Sequence, residues 1–473
     1  MLRQIALRGA SFAWGMVGLL GLLGTAACKD KMFFQGFTSA QKKELAVAQE
    51  RYWDLATEPI PGFKHAFVTL KNGVRLHYVV NTRAGKTKNK NVAVFVHGFP
   101  DSYLLWRNIL SSEALEPFIL IAVDLPGYGG SDGLPKYGPN EVLEAMTGFI
   151  VSIREQYLEE GGKLVMVTHD WGSIVGARLA SEAKELADRW ILTSAVMPGL
   201  FKANALTHVA SARQMLHTWL RAPFNLRLLK TAYSTLGPVI SQIKRSYYIF
   251  TFSLPAPLAR LFATGGNFVF VRAVHNFAAG LRHRDGKPSR TLEGKDEATF
   301  MAMTAGPGLA QFNATTADGL TYSDSVKARI PDRGMGEKIR YYREGLFFRP
   351  WEKSIETVVA LSEIETNPTR SASTGSGGLF DEGPKGALRA PTTVIMGKND
   401  VAFELRLVLE GAGDYLVRGS QVMVVGRSGH WLPLELLGMK VVEEAVEWAL
   451  EGEVGGLKER FEGLGEVEFL VEK

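Results

Sequence analysis

The sequence predicts an α/β fold: a doubly wound, mostly parallel sheet of eight strands with a helical block inserted between the sixth and seventh. Three observations carry this reading. Four uninterrupted apolar runs, NVAVFVHG (91–98), FILIAVDLPG (118–127), KLVMVTHD (163–170) and WILTSAVMPG (190–199), have the composition of strands buried on both faces, and amphipathic stretches separate most of them. Two more such runs, PTTVIMGKND (391–400) and SQVMVVGRSGH (420–430), appear only after a long interval. That interval has no clear strand and reads as helices rich in Leu, Phe, Tyr and Arg.

Taken in order, the first element is ASFAWGMVGLLGLLGTAA (10–27), an uncharged run preceded by Arg3 and Arg8 and followed by CKDK. It is long enough for a tilted membrane helix, and it also fits a secretory signal with small residues near Ala27. The expectation is a single-pass membrane anchor over residues 1–30, with secretion as the alternative; the glycines in the run weaken the anchor reading. HAFVTL (65–70) and VRLHYVV (74–80) then form an antiparallel pair across a Lys71-Asn72-Gly73 turn. Together with the four buried strands they make the first part of the core, residues 31–198. Residues 199–387 are the inserted helical lid. Its last portion, NPTRSASTGSGGLFDEGPKG (367–386), is rich in Ser, Gly and Pro and reads as a flexible surface loop. The second part of the core, 388–473, supplies strands seven and eight and the closing helix GMKVVEEAVEWAL (438–450). The Glu- and Gly-rich tail after 450 shows no usable pattern.

A chain of 473 residues with 46% hydrophobic and 22% charged residues buries a large core and is not disordered. The net charge of +5 comes from scattered basic residues with no long Lys/Arg run, which points to solubility and away from nucleic acid. One cysteine, Cys28, allows no internal disulfide.

In an open parallel sheet, functional groups collect beyond the carboxyl ends of the strands. Four such ends carry polar residues here: His97-Gly98-Phe99-Pro100, Asp170, Asp400 and His430. Asp170 stands where a buried strand turns abruptly into a helix, a costly place for a carboxylate. N-capping the helix is the simplest reason for it. The order nucleophile, acid, histidine along the chain offers a second, because it is the order of α/β-hydrolases, whose nucleophile occupies a tight strand-to-helix turn. An aspartate in that role is ionised at neutral pH without help from a base. A carboxylate attacks a saturated carbon well and a carbonyl poorly, so the substrate is expected to be an epoxide or an alkyl halide.

HGFPDSYLLWR (97–107), DLPGYGGSD (124–132), HDWGS (169–173) and SGHWLPLE (428–435) occur in one order, and together they resemble the α/β-hydrolase-fold epoxide hydrolases. SYYIFTFSLP (246–255) and RYYREG (340–345) are similar to that family's two lid motifs, which aligns Tyr248 and Tyr342 with its oxygen-binding tyrosines; Tyr247 and Tyr341 lie one register step away. The resemblance implies an α/β-hydrolase fold with a lid and hydrolysis of an apolar epoxide to a vicinal diol, with water as co-substrate and no metal or organic cofactor. Asp170 would attack the less hindered carbon while Tyr248 and Tyr342 hydrogen-bond the departing oxygen. His430, oriented by Asp400, would then activate water against the resulting ester, with the backbone N–H groups of Phe99 and Trp171 as oxyanion hole. His97, Pro100, Trp106 and Trp431 are expected around the substrate pocket, His97 chiefly by ordering its loop.

The sequence departs from the family at Thr168, where the family has glycine two positions before the nucleophile; a β-branched side chain there is expected to crowd the turn. Two other readings accompany the first. A dehalogenase would use the same Asp170, His430 and Asp400 but needs halide donors in place of the tyrosines. A non-catalytic relative would bind a small apolar ligand and has no need of the intact triad.

Overall fold

The computed structural model describes residues 2–28, 36–82, 89–280, 291–364 and 383–473. Of the Ser-, Gly- and Pro-rich portion 367–386, expected to be a surface loop, residues 367–382 lie outside them.

A single sheet runs through the molecule in the order β1-β2-β4-β3-β5-β6-β7-β8-β9. Its centre is parallel: β3 (Val92–Val96), β4 (Ile119–Val123), β5 (Leu164–His169), β6 (Arg189–Thr193), β7 (Thr392–Gly397) and β8 (Gln421–Val425). Every residue of β3 to β7 is buried, as expected of β-branched runs covered on both faces. Alternate residues serve opposite layers. Val94 and Val96 join an apolar cluster with Phe149, Trp171 and the inserted helices, and Phe95 and Val167 join the cluster on the other face with Val441 and Trp448. β1 (Phe63–Thr69) and β2 (Arg75–Asn81) form the expected hairpin at one edge. Gly73 at φ 83° supplies the left-handed turn that a residue with a Cβ avoids.

Among the described residues the sheet has nine strands rather than eight. β9 (Val467–Glu472) closes the second edge antiparallel to β8. Val467, Phe469 and Val471 face the more buried side, with Glu468, Leu470 and Glu472 toward water, so the segment reads as a polar tail although it pairs as an edge strand.

Helices cover both faces and make up the insertion between β6 and β7. Those that matter below are α1 (Leu2–Cys28), α2 (Ser39–Trp53), α3 (Pro139–Tyr157), α4 (Trp171–Glu182), α5 (Pro198–Arg221), α6 (Leu226–Arg245), α7 (Tyr247–Phe252), α8 (Ala256–Ala278), α9 (Gly294–Ala305), α10 (Ile355–Glu363) and α11 (Leu436–Leu450). Between Gly265 and Phe268, α8 leaves helical geometry and is in effect two helices. α1 contains one stretch, Arg8–Ala27, long and apolar enough to cross a membrane. It lies on α7 and α8, where a Cβ on Gly15 would stand 2.6 Å from the Phe250 carbonyl oxygen and one on Gly18 would stand 2.4 Å from Thr251 Oγ1. Glycine at these two positions is what lets the helices approach so closely.

Candidate active site

β5 ends at His169, and the chain turns into α4 through Asp170 at φ 51°, ψ −115°. Such a conformation is strained for a residue with a Cβ and persists only where its surroundings hold it. Here the surroundings are glycines. A Cβ on Gly172 would lie 2.5 Å from the backbone oxygens of both Val96 and His97, and one on Gly98 would lie 2.5 Å from the Asp170 side chain. Asp170 occupies the N-cap position of α4, yet its side chain makes no capping bond, so the N-cap reading fails. The carboxylate instead accepts a hydrogen bond from the Phe99 backbone N–H, 2.8 Å from Oδ1. Trp171 is the first residue of α4, where the backbone N–H has no intrahelical acceptor.

Thr168 does not crowd the turn. Its hydroxyl lies 2.9 Å from Ser173 Oγ, and its methyl is received by Gly176, whose own Cβ would be only 3.1 Å away. The space usually left by a glycine in the strand is supplied here by a glycine in the helix.

The end of β8 brings His430 to Asp170, with Nε2 3.5 Å from Oδ2. On the other side of the ring, Nδ1 lies 2.8 Å from Asp400 Oδ2 beyond β7. Asp400 is fixed in turn, because its Oδ1 accepts the N–H groups of Ala402 and Phe403 at 2.7 and 2.9 Å. Burial pulls the His430 pKa down, but the two flanking carboxylates more than reverse this and raise it to about 10. Burial pushes the Asp170 pKa up, and His430 with the Phe99 N–H outweighs it, leaving the carboxyl below its ordinary value. At neutral pH the site is therefore an imidazolium held between two carboxylates.

Tyr248 and Tyr342, both in the insertion between β6 and β7, come to the same place. Tyr342 sets its ring edge-on to Trp171, centroids 4.8 Å apart, and to Phe99 at 5.4 Å; Tyr248 lies 5.8 Å from Tyr342. Both are half-buried. Burial raises both phenol pKa values well above the ordinary range, and the neighbouring Asp170 carboxylate adds to the shift, so both remain proton donors. The register ambiguity is resolved by neighbours: Tyr341 points away, is buried and donates to the Pro126 carbonyl at 2.8 Å, while Tyr247 is on the side of α7 that faces α1. Phe252 and Phe270 complete an aromatic wall around the pair.

Two residues expected around the pocket are not exposed to it. His97 is fully buried, with Nδ1 on the Gly98 carbonyl at 2.8 Å and Nε2 accepting the Leu125 N–H at 3.0 Å. Burial lowers its pKa to about 4, so it is a neutral loop brace. Trp106 is also fully buried and packs on Phe95 and His169 in the opposite layer, because the Trp-Arg that follows HGFP turns back beneath the sheet. Pro100 is buried too and gives its carbonyl to Lys338 Nζ at 2.9 Å. Trp431 packs on the His430 ring at 4.8 Å and donates to Asp101 at 3.2 Å.

Several supporting residues have no sequence signal of their own. Ser194, with φ 45° at the end of β6, donates to the His430 carbonyl at 2.6 Å. Glu435 accepts the Gly429 N–H at 2.6 Å and steadies the histidine loop. Lys338, buried in the insertion between β6 and β7, joins it to the loop bearing Phe99; burial brings its pKa down to about 7. Asp124 could have been suspected from its place in DLPGYGGSD. It is fully buried, accepts the Tyr103 and Gly130 N–H groups, and pairs with His77 at 2.8 Å. Among the described residues, no group of three or more His, Cys, Asp or Glu is placed to hold a metal ion.

Part of this chain is similar to proteins of known name. "Epoxide hydrolase 1" of Caenorhabditis elegans is 31% identical over 155 residues, 33% of this chain and 36% of that protein. "Soluble epoxide hydrolase" of Corynebacterium is 34% identical over 139 residues, 28% of this chain and 42% of that protein. The chain thus spans well under half the length of the curated relatives it matches. The crystal structure of the Bacillus megaterium epoxide hydrolase with an inhibitor aligns at 18% identity and TM-score 0.47, covering 82% of this chain and 99% of that one. The Cif epoxide hydrolase of Acinetobacter nosocomialis aligns at 14% identity and TM-score 0.49, covering 89% and 99%. Residues 93–436 match the family described as the alpha/beta hydrolase family, which is more than half of the sequence and takes in strands β4 to β8, the strained turn at Asp170, Asp400 and His430. The chain therefore belongs to the alpha/beta hydrolase family.

Proposed function

We propose that the protein hydrolyses an apolar epoxide to a vicinal diol through an ester on Asp170. The observation that carries this is a carboxylate, braced by the Phe99 N–H and facing His430, opposite two phenols that stay protonated. The relatives named as epoxide hydrolases support the same reading. Oδ2 attacks the less hindered ring carbon, the C–O bond breaks, and Tyr248 and Tyr342 neutralise the alkoxide as it forms. Oδ1, already on the Phe99 N–H, becomes the ester carbonyl oxygen. His430 then takes a proton from water, which adds to the Asp170 carboxyl carbon; the oxyanion is held by the Phe99 and Trp171 N–H groups, the ester C–O bond breaks, and the departing alkoxide takes the carboxyl proton, so the diol leaves as the carboxylate is restored.

The two carboxylates give this sequence its timing. In the free protein they hold a proton on His430. Esterification removes the Asp170 charge and the histidine pKa falls; its proton passes through solvent to the phenolate left by the tyrosine that protonated the alkoxide, and a base appears at the step that needs one. Phenol donors favour an oxygen leaving group over a halide, and the aromatic wall suits an apolar substrate.

In this reading residues 199–387 act as the lid over a core made of 31–198 and 388–473, and α1 attaches the protein to a membrane. The test uses the full chain in detergent, multiple turnovers of alkyl and aryl epoxides in heavy-oxygen water, and mass analysis of the Asp170 peptide. Label in that carboxylate, absent from other acids, is expected. Diol without label means direct attack by water, and no diol across the panel rejects the activity.

A further inference from the structure

The hairpin of α5 and α6 is built unlike the rest of the molecule. Of the residues in α5 only Leu200 and Ala212 are buried, and in α6 only Ala232, Pro238 and Gln242. The two helices lie mainly on each other and present apolar side chains outward. Phe224, in the turn joining them, is 97% exposed, and Leu226, Leu229 and Tyr233 form an exposed stripe at helical spacing along α6. Scattered exposed hydrophobic residues are ordinary, but a continuous stripe leading to a bare phenylalanine marks an interaction surface.

Charge identifies the occupant. From Arg189 to Arg284 the sequence holds twelve Lys and Arg residues and no Asp or Glu, in a chain with 49 acidic residues overall. Seven of the twelve fall within Pro198–Arg245, and Arg221, Arg227 and Lys230 flank Phe224. No basic run is present, so the asymmetry comes from the missing acids. The acids that reach the hairpin from elsewhere, Glu410 at His208 and Glu404 at Arg245, are paired there rather than at Phe224, and exposed apolar side chains bordered by Arg221, Arg227 and Lys230 match the interface of an anionic lipid bilayer.

We propose that the α5–α6 hairpin is a bilayer-docking surface for anionic phospholipid, with Phe224 and the Leu226–Leu229–Tyr233 stripe entering the interface. This rests on membrane attachment of the chain and goes beyond it, because the docking element is the lid itself. α1 does not stand apart as a tether. It lies along α7, the short helix that follows α6 and carries Tyr248, so α1 and the hairpin flank the segment that bears one of the oxygen-holding phenols. The C-terminal end of α6 is bound to the Asp400 loop as well, with Arg245 donating to the Asp400 carbonyl at 2.6 Å and Gln242 to the Ala402 carbonyl at 2.8 Å. An apolar substrate dissolved in the bilayer would thus meet the protein on the side of the lid.

The test keeps the full chain, replaces Cys28 by Ser, and places an environment-sensitive fluorophore on Phe224→Cys, with Val454→Cys as an exposed control. The probe at 224 is expected to shift blue when phosphatidylcholine vesicles containing phosphatidylserine are added, and the probe at 454 to stay unchanged. Replacing Arg221, Arg227 and Lys230 together by Gln is expected to weaken partitioning onto those vesicles by about a hundredfold, at about fivefold per cation, with diol formation from a water-soluble epoxide unaffected. If the chain floats with vesicles while the 224 probe remains in water, α1 alone attaches it and the hairpin proposal is overturned. Unchanged partitioning of the triple variant also overturns it, as does a blue shift that follows protein concentration without vesicles, which would make the face an interface between copies. A chain that does not float at all removes membrane attachment and the hairpin proposal together, and leaves the epoxide reading to its own assay.

Discussion

Replacing Asp170 by Asn reproduces the charge state of the ester without the substrate, so it isolates the event that frees His430. Asn keeps an oxygen for the Phe99 N–H and removes one negative charge from a point 3.5 Å from Nε2. At an effective dielectric near 20, a unit charge at that distance is worth about 5 kcal/mol, or roughly 3 to 4 pKa units. The His430 pKa, about 10 in the intact site, is therefore expected to fall to between about 6 and 7 in Asp170→Asn. Titration of the imidazole signals by proton–nitrogen NMR in both proteins reads this directly. A variant histidine still titrating above about 9, or a wild-type one already near 6.5, would refute the argument that Asp170 holds the proton. The sign extends to stability. A histidine raised from 6.5 to about 10 stabilises the fold fully below pH 6.5 and loses that contribution as pH rises through about 10. In Asp170→Asn the loss should come at correspondingly lower pH.

Tyr248→Phe and Tyr342→Phe are each expected to slow ester formation by about a hundredfold in single-turnover measurements, the usual effect of removing one donor from a developing oxyanion; the decay of ester already formed should barely change. Gly172→Ala puts a methyl 2.5 Å from two backbone oxygens, and is expected to cost about 3 kcal/mol in urea unfolding and to abolish activity by displacing Asp170. Thr168→Ala gives up the Ser173 contact for about 1 kcal/mol of stability, with turnover within about twofold of wild type; a large loss of turnover would show that the hydroxyl has a part in the chemistry.

The central strands were legible because buried parallel strands must be apolar throughout, and their ends were legible because few other polar residues stand at such turns. β9 was not, since an edge strand needs only every second residue to be apolar, and VEFLVE gives two of the other three positions, Glu468 and Glu472, to glutamate. Thr168 reads as an intrusion from the family pattern alone; its accommodation depends on Gly176, which is adjacent only after the helix folds back. His97 and Trp106 sit in the right segment, but a segment does not say on which side of the sheet each side chain falls. Ser194 and Lys338 act through backbone carbonyls of distant loops, a role that any polar residue of suitable reach can fill, so neither carries a motif. The hairpin's charge was hidden for another reason: a search for runs of basic residues does not register a long absence of acids.

The same two carboxylates explain why the pocket over Asp170 must be apolar as well as why His430 holds its proton. Water admitted before the ester forms would meet an imidazolium, which cannot accept a proton, and would weaken the 3.5 Å attraction that keeps it charged. The aromatic wall of Phe99, Phe252, Phe270 and the two tyrosines preserves that low-dielectric setting. Polar substitution in the wall, Phe252→Asn for example, is therefore expected to act twice. It should lower affinity for apolar epoxides and also bring the His430 pKa down from about 10, which the imidazole titration separates from a simple loss of binding. If the affinity falls while the titration stays in place, the wall serves the substrate alone.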